Sequence, residues 1–368
     1  MSQVTLTAVT VVKDGTEVLH RTDLEVPDGQ RLAVLGPSGA GKTTLLRVIA
    51  GLDEVTTGAV LLDGQDVTGL APREREVAMV TQEAALLRHL DVEANVTFPL
   101  SIRGVEEPER SLRVQAEVRA FSLKRLLRRR PTQLSMGEQH DAAMARALVR
   151  RGGVLLLDEP FANTDAGRRA ALLRELRSLQ EGYGATLIAA TNDQEIALLL
   201  AERCVLLCDG RVVQDGPPQH LLERPADTFV AGFLGSPPMN LLDGHVEEVG
   251  GRLRLVAEPL RVEQARPELT RLAGQRCQVG IRPHDLHRLP THGGGREGLV
   301  VVEEVVQRTA FLGSEVEVVV APRSAPERGI VAVIDRPVPP IGSLLALGVP
   351  RARVHVFDAA GRAVTHGV

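Results

Sequence analysis

The sequence predicts an α/β domain carrying a helical insert, followed by a smaller all-β domain. Three observations predict it. Short apolar runs alternate with longer helical patterns from the start of the chain to about residue 235. A glycine-rich loop, residues 36–43, joins one such run to a helix. After Gly235-Ser236-Pro237-Pro238 the pattern changes to short β-rich runs separated by Gly and Pro clusters.

In chain order, the runs Arg31–Leu35, Val77–Val80, Val154–Leu157 and Ala185–Ala190 read as strands of a parallel sheet buried under helices on both faces. A helix is expected over Thr43–Ala50, and the strand rhythm stops between Gln82 and the region of Pro131. Segments such as Ser111–Phe121 look purely helical there, so a helical insert is placed at about 85–150, a surface suited to a partner. In the second domain, Leu299–Val306, Glu315–Val320 and Ile330–Ile334 read as strands, and His292-Gly293-Gly294-Gly295 as a turn cluster. The boundaries expected are 1–235 and 236–368. No repeat of tens of residues is found.

At 368 residues and 43% hydrophobic content the chain supplies enough core for two domains. The longest stretch without a charge, between Asp227 and Asp243, holds two prolines, so no segment reads as a spanning helix. The first residues lack a basic start, apolar block and cleavage site, which predicts a chain that stays in the cytoplasm. The three cysteines, Cys204, Cys208 and Cys277, have no metal-ligand spacing and read as reduced thiols. A net charge of -4 argues against a nucleic-acid partner; the basic cluster Lys124-Arg125 with Arg128-Arg129-Arg130 is short and reads as a solvated face.

The strongest chemical signal is Gly36-Pro37-Ser38-Gly39-Ala40-Gly41-Lys42-Thr43, which fits G-x-x-x-x-G-K-[ST] between a strand and a helix. Its glycines permit a tight turn whose N–H groups, with the helix N-terminus, face a polyphosphate. Lys42 would reach the terminal phosphates and Thr43 would offer its hydroxyl to Mg2+. Residues 36–43 together with Thr44 are therefore the candidate nucleotide-binding set.

The second signal is Val154-Leu155-Leu156-Leu157-Asp158-Glu159-Pro160, an apolar strand ending in adjacent carboxylates at the edge where open α/β sheets bind ligands. Side chains alternate along a strand, so the two carboxylates are expected to differ in role. Asp158 is assigned to the metal shell and Glu159 to the attacking water as general base.

The order of these motifs resembles the ATP-binding subunit of ATP-binding cassette (ABC) importers, in particular the carbohydrate-import branch of the maltose-importer type. The resemblance runs over nearly the whole chain. It includes Gly51-Leu52-Asp53, Leu62-Asp63-Gly64, Val80-Thr81-Gln82, Leu134-Ser135-Met136-Gly137-Glu138, Ala145–Leu148 and Ala162-Asn163-Thr164-Asp165. Val230–Asn240 and Gly280-Ile281-Arg282-Pro283 are similar to the importer branch specifically. The resemblance implies a phosphate-loop ATPase cassette and, after it, an oligonucleotide-binding-like barrel used for regulation and dimer contacts. It implies ATP and Mg2+ as ligands, with Thr43, Gln82 and Asp158 around the metal. Ser135 and Gly137 would reach the nucleotide of a second cassette, in a homodimer or a mixed pair. The helical insert would push on transmembrane permease subunits at the cytoplasmic face of the inner membrane, with a solute-binding protein engaged indirectly.

Four positions depart from the family pattern. Lys13 stands where an aromatic residue usually stacks on adenine, a loss of roughly 1 to 3 kcal/mol. Met136 and Glu138 replace a glycine and a glutamine in the signature, and Glu138, three residues after Ser135, also fits a capping box. In Thr191-Asn192-Asp193-Gln194, Asn192 occupies the place of the histidine that contacts the terminal phosphate. Loss of one such donor lowers rates by roughly 10² to 10³. Asn192 also fits an N-cap for a helix over Asp193–Ala201. Two readings follow: an ATP hydrolase with Glu159, Gln82 and Asn192 as catalytic candidates, powering import of a sugar-like solute, or an ATP-gated dimerisation subunit of low turnover paired with a competent cassette.

Overall fold

Residues 4–26 form a hairpin, not the first turn of a parallel sheet. In the computed structural model, which describes residues 3–368 except 82, 84, 152, 162–165, 264–265 and 291–297, β1 (Val4–Lys13) and β2 (Thr16–Val26) pair antiparallel around Asp14-Gly15. Both turn residues have positive φ, 49° and 77°, the combination for which Asp-Gly is favoured in two-residue hairpins. β3 (Arg31–Leu35), α1 (Lys42–Ala50), β4 (Thr57–Leu62) and β5 (Gln65–Asp66) follow. β4 pairs with β1, giving an antiparallel sheet of order β2-β1-β4-β5. The parallel rhythm expected from the first residue therefore begins only at β3.

The main sheet of the first unit, Met1–Pro218, is completed by β6 (Val77–Val80), β7 (Val154–Asp158), β8 (Thr186–Thr191), β9 (Arg203–Cys208) and β10 (Arg211–Gly216). The order is β10-β9-β3-β8-β7-β6, parallel except for the β10 edge. Every residue of β7 and β8 is buried, which is why they read as continuous apolar runs instead of alternating ones. On α1, Leu45, Leu46, Val48 and Ile49 are fully buried in one cluster with Val34, Leu156, Ile188 and Val205. Each such side chain contributes roughly 1.5 to 3 kcal/mol when taken from water.

Between β6 and β7 the chain builds α2 (Val92–Ile102), α3 (Glu109–Ala120) and α4 (Met136–Leu148), the expected helical insert. Asp91 caps α2 by accepting from the Ala94 N–H at 2.8 Å. Buried Asn95 satisfies four loop groups at once, accepting from the Leu87 N–H and donating to the carbonyls of Leu87, Leu90 and Asp91. The basic residues 124, 125 and 128–130 are exposed, on a 3-10 turn and loop instead of an α-helix face. After β7 come α5 (Ala166–Tyr183) and α6 (Gln194–Leu200). Among the described residues no helix is long and apolar enough to cross a membrane.

The second unit, Gln219–Val368, takes in the end of α7 (Pro218–Glu223) and all of α8 (Thr228–Phe233) before its β elements begin. The half-buried Arg282 guanidinium explains why it starts there, ahead of Gly235: it donates to the carbonyl of Leu222 at 2.9 and 2.7 Å and to that of Leu234 at 2.6 Å. β11 (Asn240–Val249), β12 (Arg252–Ala257), β13 (Leu260–Glu263) and β14 (Arg276–Ile281) belong to a six-stranded sheet. β15 (His287–Arg288), β16 (Leu299–Phe311), β17 (Glu315–Ala321), β18 (Ile330–Asp335) and β19 (Leu344–Pro350) make a five-stranded one, and β20 (Val354–Phe357) and β21 (Ala363–His366) complete the first. Asn240 ties the two sheets, donating to Ile281 O on one and to Val331 O on the other while accepting from the Val331 N–H. The turn cluster expected at 292–295 lies outside the described residues. Cys204 and Cys277 are buried, which pushes their thiols up to about 12 and 11, so they stay protonated and unreactive; Cys208 is half-buried, outside any disulfide, with its thiol on the Asp209 carboxylate.

Candidate active site

Strands β3, β8 and β7 are neighbours and run parallel, with Leu35 opposite Thr191 and Asp158 opposite Ala190. The loop after β3, the carboxylates after β7 and the segment after β8 therefore leave the sheet at the same edge, where open α/β sheets take ligands.

The loop is shaped by glycines at two positions where no other residue fits. Gly36 has φ 151°, and a Cβ there would lie 2.2 Å from the Leu207 carbonyl oxygen. Gly41 has φ 99°, and its Cβ would lie 2.9 Å from the Val18 carbonyl oxygen. Gly41 is also the N-cap of α1, with no side-chain cap and no acidic residue in the first turn. The first N–H groups of α1 thus keep their partial positive charge for an outside anion.

Lys42 is 7% exposed, and its ammonium donates to the carbonyls of Gly36 at 2.8 Å and Pro37 at 2.9 Å. It lies 3.9 Å from the nearer Glu159 oxygen. Burial pulls its pKa down against the opposing pull of Glu159 and Asp158. Thr43 donates its hydroxyl to Asp158 Oδ1 at 3.0 Å. Burial pushes the Asp158 carboxyl up, with the Thr43 hydroxyl and Lys42 pulling the other way.

Glu159 lies one residue beyond β7 and takes a left-handed conformation, φ 48°, with its N–H donating to the Ala190 carbonyl at 2.9 Å. Its direction is set by this turn and not by the strand alternation used to separate the two carboxylates. Glu159 Oε2 accepts from the Thr191 hydroxyl at 3.3 Å and from the Asn192 N–H at 3.4 Å. Burial pushes its pKa up, opposed by Lys42 and by these two donors. A carboxylate with a raised pKa beside a cation, at a ligand edge, has the properties of a general base.

Asn192 is exposed and does not cap the following helix. The cap is Asp193, whose Oδ1 accepts from the Ile196 N–H at 3.2 Å, so α6 begins one residue later than the sequence reading placed it. Arg169 holds the same carboxylate at 3.1 Å. At the signature, Ser135 caps α4: its Oγ accepts from the Glu138 N–H at 3.3 Å, while Glu138 Oε2 accepts from the Ser135 N–H at 2.8 Å and from its hydroxyl at 3.0 Å. Glu138 thus forms the reciprocal capping box. Met136 beside it is 71% exposed. Lys13 is turned to Asp53 at 2.5 Å, and Asp53 is also bound by Arg47 of α1 at 3.0 Å. Burial raises the Asp53 pKa, but bonds from Arg47 and Lys13 outweigh it and hold the carboxyl low. Gln82 and the segment 162–165 lie outside the described residues.

A polyphosphate fits the loop because a Cβ would fill its cradle at Gly36 and Gly41 and because the buried Lys42 ammonium donates its hydrogen bonds to neutral carbonyls. Mg2+ fits as well: Thr43 and Asp158 offer two hard oxygens 3.0 Å apart, and Mg2+ commonly takes one or two protein ligands with substrate phosphates and water supplying the rest. Among the described residues no cluster of three or more His, Cys, Asp or Glu could hold a metal alone, in keeping with such a shared site.

The fold and this edge define a phosphate-loop ATP-binding cassette. Residues 19–162 match the ABC transporter family model, and residues 235–286 match the model of the MalK OB fold domain. The chain is 38% identical, over 95% of each chain, to the sn-glycerol-3-phosphate import ATP-binding protein UgpC of Rhodopseudomonas palustris. It is equally similar to that of Yersinia pseudotuberculosis, over 97% of this chain and 98% of the relative. A solved dimeric cassette, MJ0796 in a post-hydrolysis state with ADP and phosphate, superposes with a TM-score of 0.54 at 29% identity, over 58% of this chain and 98% of its own. The chain belongs to the ATP-binding proteins of ABC importers, in the branch with a C-terminal MalK-type OB domain.

The sequence reading thus brought Lys42, Thr43, Asp158 and Glu159 to one place. Thr191 has no role legible in the sequence, because its contact joins the residue after β7 to the end of β8 across the sheet. A hydroxyl residue at the end of a buried strand beside a carboxylate-bearing neighbour is the signal that would have found it.

Proposed function

We propose that the chain binds and hydrolyses ATP to drive solute import through transmembrane permease subunits, as a peripheral protein on the cytoplasmic face of the inner membrane. Residues 1–218 serve as the nucleotide-binding domain and residues 219–368 as the regulatory domain. The solute is a small polyol or sugar-like molecule, and glycerol 3-phosphate is the one named for the relatives. The single observation that carries the reading is the convergence of Lys42, Thr43, Asp158 and Glu159 at one sheet edge.

The loop N–H groups of Ser38, Gly39 and Gly41 and the open N-terminus of α1 bind the phosphates, with Lys42 exchanging its neutral carbonyl partners for phosphate oxygens, which are stronger acceptors. Thr43 and Asp158, with Gln82, would hold Mg2+, which would supply positive charge to offset that of the phosphates. Glu159 takes the proton of the attacking water, having an elevated pKa and a neighbouring ammonium to stabilise its charge. Ser135 and Gly137 contact the nucleotide of a second cassette in a dimer, and the helical insert faces the permease.

The test is magnesium-dependent ATP turnover by the purified full chain, beside Glu159→Gln. Loss of a general base predicts a fall of roughly 10² to 10⁴. Wild-type turnover no higher than that of Glu159→Gln would overturn the hydrolase assignment and leave an ATP-gated clamp.

A further inference from the structure

Glu159 is held by groups that do not include the side chain at position 192. Its Oε2 accepts from the Thr191 hydroxyl at 3.3 Å and from the backbone N–H of Asn192 at 3.4 Å. The exposed Asn192 side chain stands outside this arrangement. Thr191 is 2% exposed and its hydroxyl is itself fixed, accepting from the Asp193 N–H at 3.0 Å. That N–H belongs to the N-cap of α6, whose carboxylate is bound by Arg169. The hydroxyl proton therefore points to Glu159 while the oxygen lone pair faces Asp193, so the hydroxyl acts as a donor of fixed orientation.

We propose that Thr191 is a positioning residue for the general base, aiming the Glu159 carboxylate together with the amide of residue 192, so that the base stays in place whatever side chain position 192 carries. The inference rests on the hydrolase reading above. It accounts physically for how a chain with asparagine at 192 keeps an oriented base. Residue 192 supplies its backbone N–H, which any residue except proline provides, and the donor that varies with sequence is at 191.

The charged groups facing Glu159 are Lys42 on α1 and Asp158 on β7. Lys42 favours the ionised base and Asp158 opposes it, and neither changes when Thr191 is substituted. Removing the hydroxyl takes away one of the two donors that fix the direction of the carboxylate, the backbone N–H of residue 192 being the other.

The experiment measures magnesium-dependent ATP turnover for the full chain as wild type, Thr191→Val, Thr191→Ser and Glu159→Gln, with ATP affinity measured in parallel. The expected result is a fall of about tenfold in kcat for Thr191→Val with affinity kept, the size of one lost bond to a charged group. Thr191→Ser, which keeps the hydroxyl, restores turnover to the wild-type level. Equal turnover in Thr191→Val and wild type would overturn the inference while leaving the hydrolase reading intact. So would a loss in Thr191→Ser as large as a lost hydroxyl predicts, an arm that decides the matter even if Thr191→Val folds poorly. Wild-type turnover at the Glu159→Gln level overturns both readings.

Discussion

Helices α1 and α4 begin in opposite ways. α1 starts at a glycine in a left-handed conformation, with no side-chain cap and no acidic residue in its first turn. α4 starts at Ser135, whose hydroxyl accepts from the Glu138 N–H while the Glu138 carboxylate accepts from the Ser135 N–H. The first end keeps its donors and its partial positive charge available; the second satisfies them internally and adds a negative charge. An anion can be received at α1 directly, but at α4 only against the Glu138 carboxylate. One is a helix end that can receive an anion unaided, the other a surface whose polar groups are already paired until a partner displaces them.

Making α1 resemble α4 should have the largest effect. Thr44 occupies the same place relative to Gly41 as Glu138 does to Ser135, so Thr44→Glu closes the open helix end with a carboxylate. ATP affinity should fall by tenfold or more, since one unfavourable charge at a partly buried helix end amounts to ~1 to 2 kcal/mol, while thermal stability without nucleotide should hold or rise slightly.

The converse change is smaller. Glu138→Gln keeps an acceptor for the Ser135 N–H but removes the charge. Stability should drop by no more than about 1 kcal/mol, read as a shift in unfolding midpoint. ATP-dependent self-association of the Glu159→Gln chain, followed by light scattering, should strengthen. Unchanged association would mean that the Glu138 charge does not oppose the partner's nucleotide.

The smallest effect concerns stability alone. Burial raises the folded-state pKa of Asp158, so the folded protein binds the proton more readily than the unfolded chain. The resulting penalty is absent below the unfolded carboxylate pKa, about 3.9, grows as pH rises from there, and is complete above the raised folded value. Asp158→Asn removes it. The nucleotide-free variant should melt a few degrees higher than wild type at neutral pH, with the difference shrinking as the pH is lowered, although it loses the proposed Mg2+ ligand. A lower midpoint would show that the Thr43 and Lys42 contacts outweigh burial.

The parts legible in the sequence are those whose geometry is local. The strand, loop and helix spanning residues 31–50 could be read because glycine spacing, an apolar run and helical periodicity coincide within twenty residues. The strand ending at Asp158 was equally plain. The first hairpin was read as part of the parallel rhythm although Asp14-Gly15 is a strong turn signal, because β1 is apolar enough to resemble a buried strand. The N-cap of α6 moved from Asn192 to Asp193 because both residue types cap well and the choice falls to where β8 ends, at Thr191. The direction of Glu159 depends on a left-handed backbone, and its bond to Thr191 on the adjacency of β7 and β8, neither of which has a sequence period.

The most direct test of the central claim, that the open end of α1 and its loop bind the nucleotide, is a calorimetric titration of Mg-ATP into the Glu159→Gln chain, with and without Thr44→Glu. The account predicts saturable binding in the first and at least tenfold weaker binding in the second. Equal affinities, or no binding by the Glu159→Gln chain at all, would contradict it.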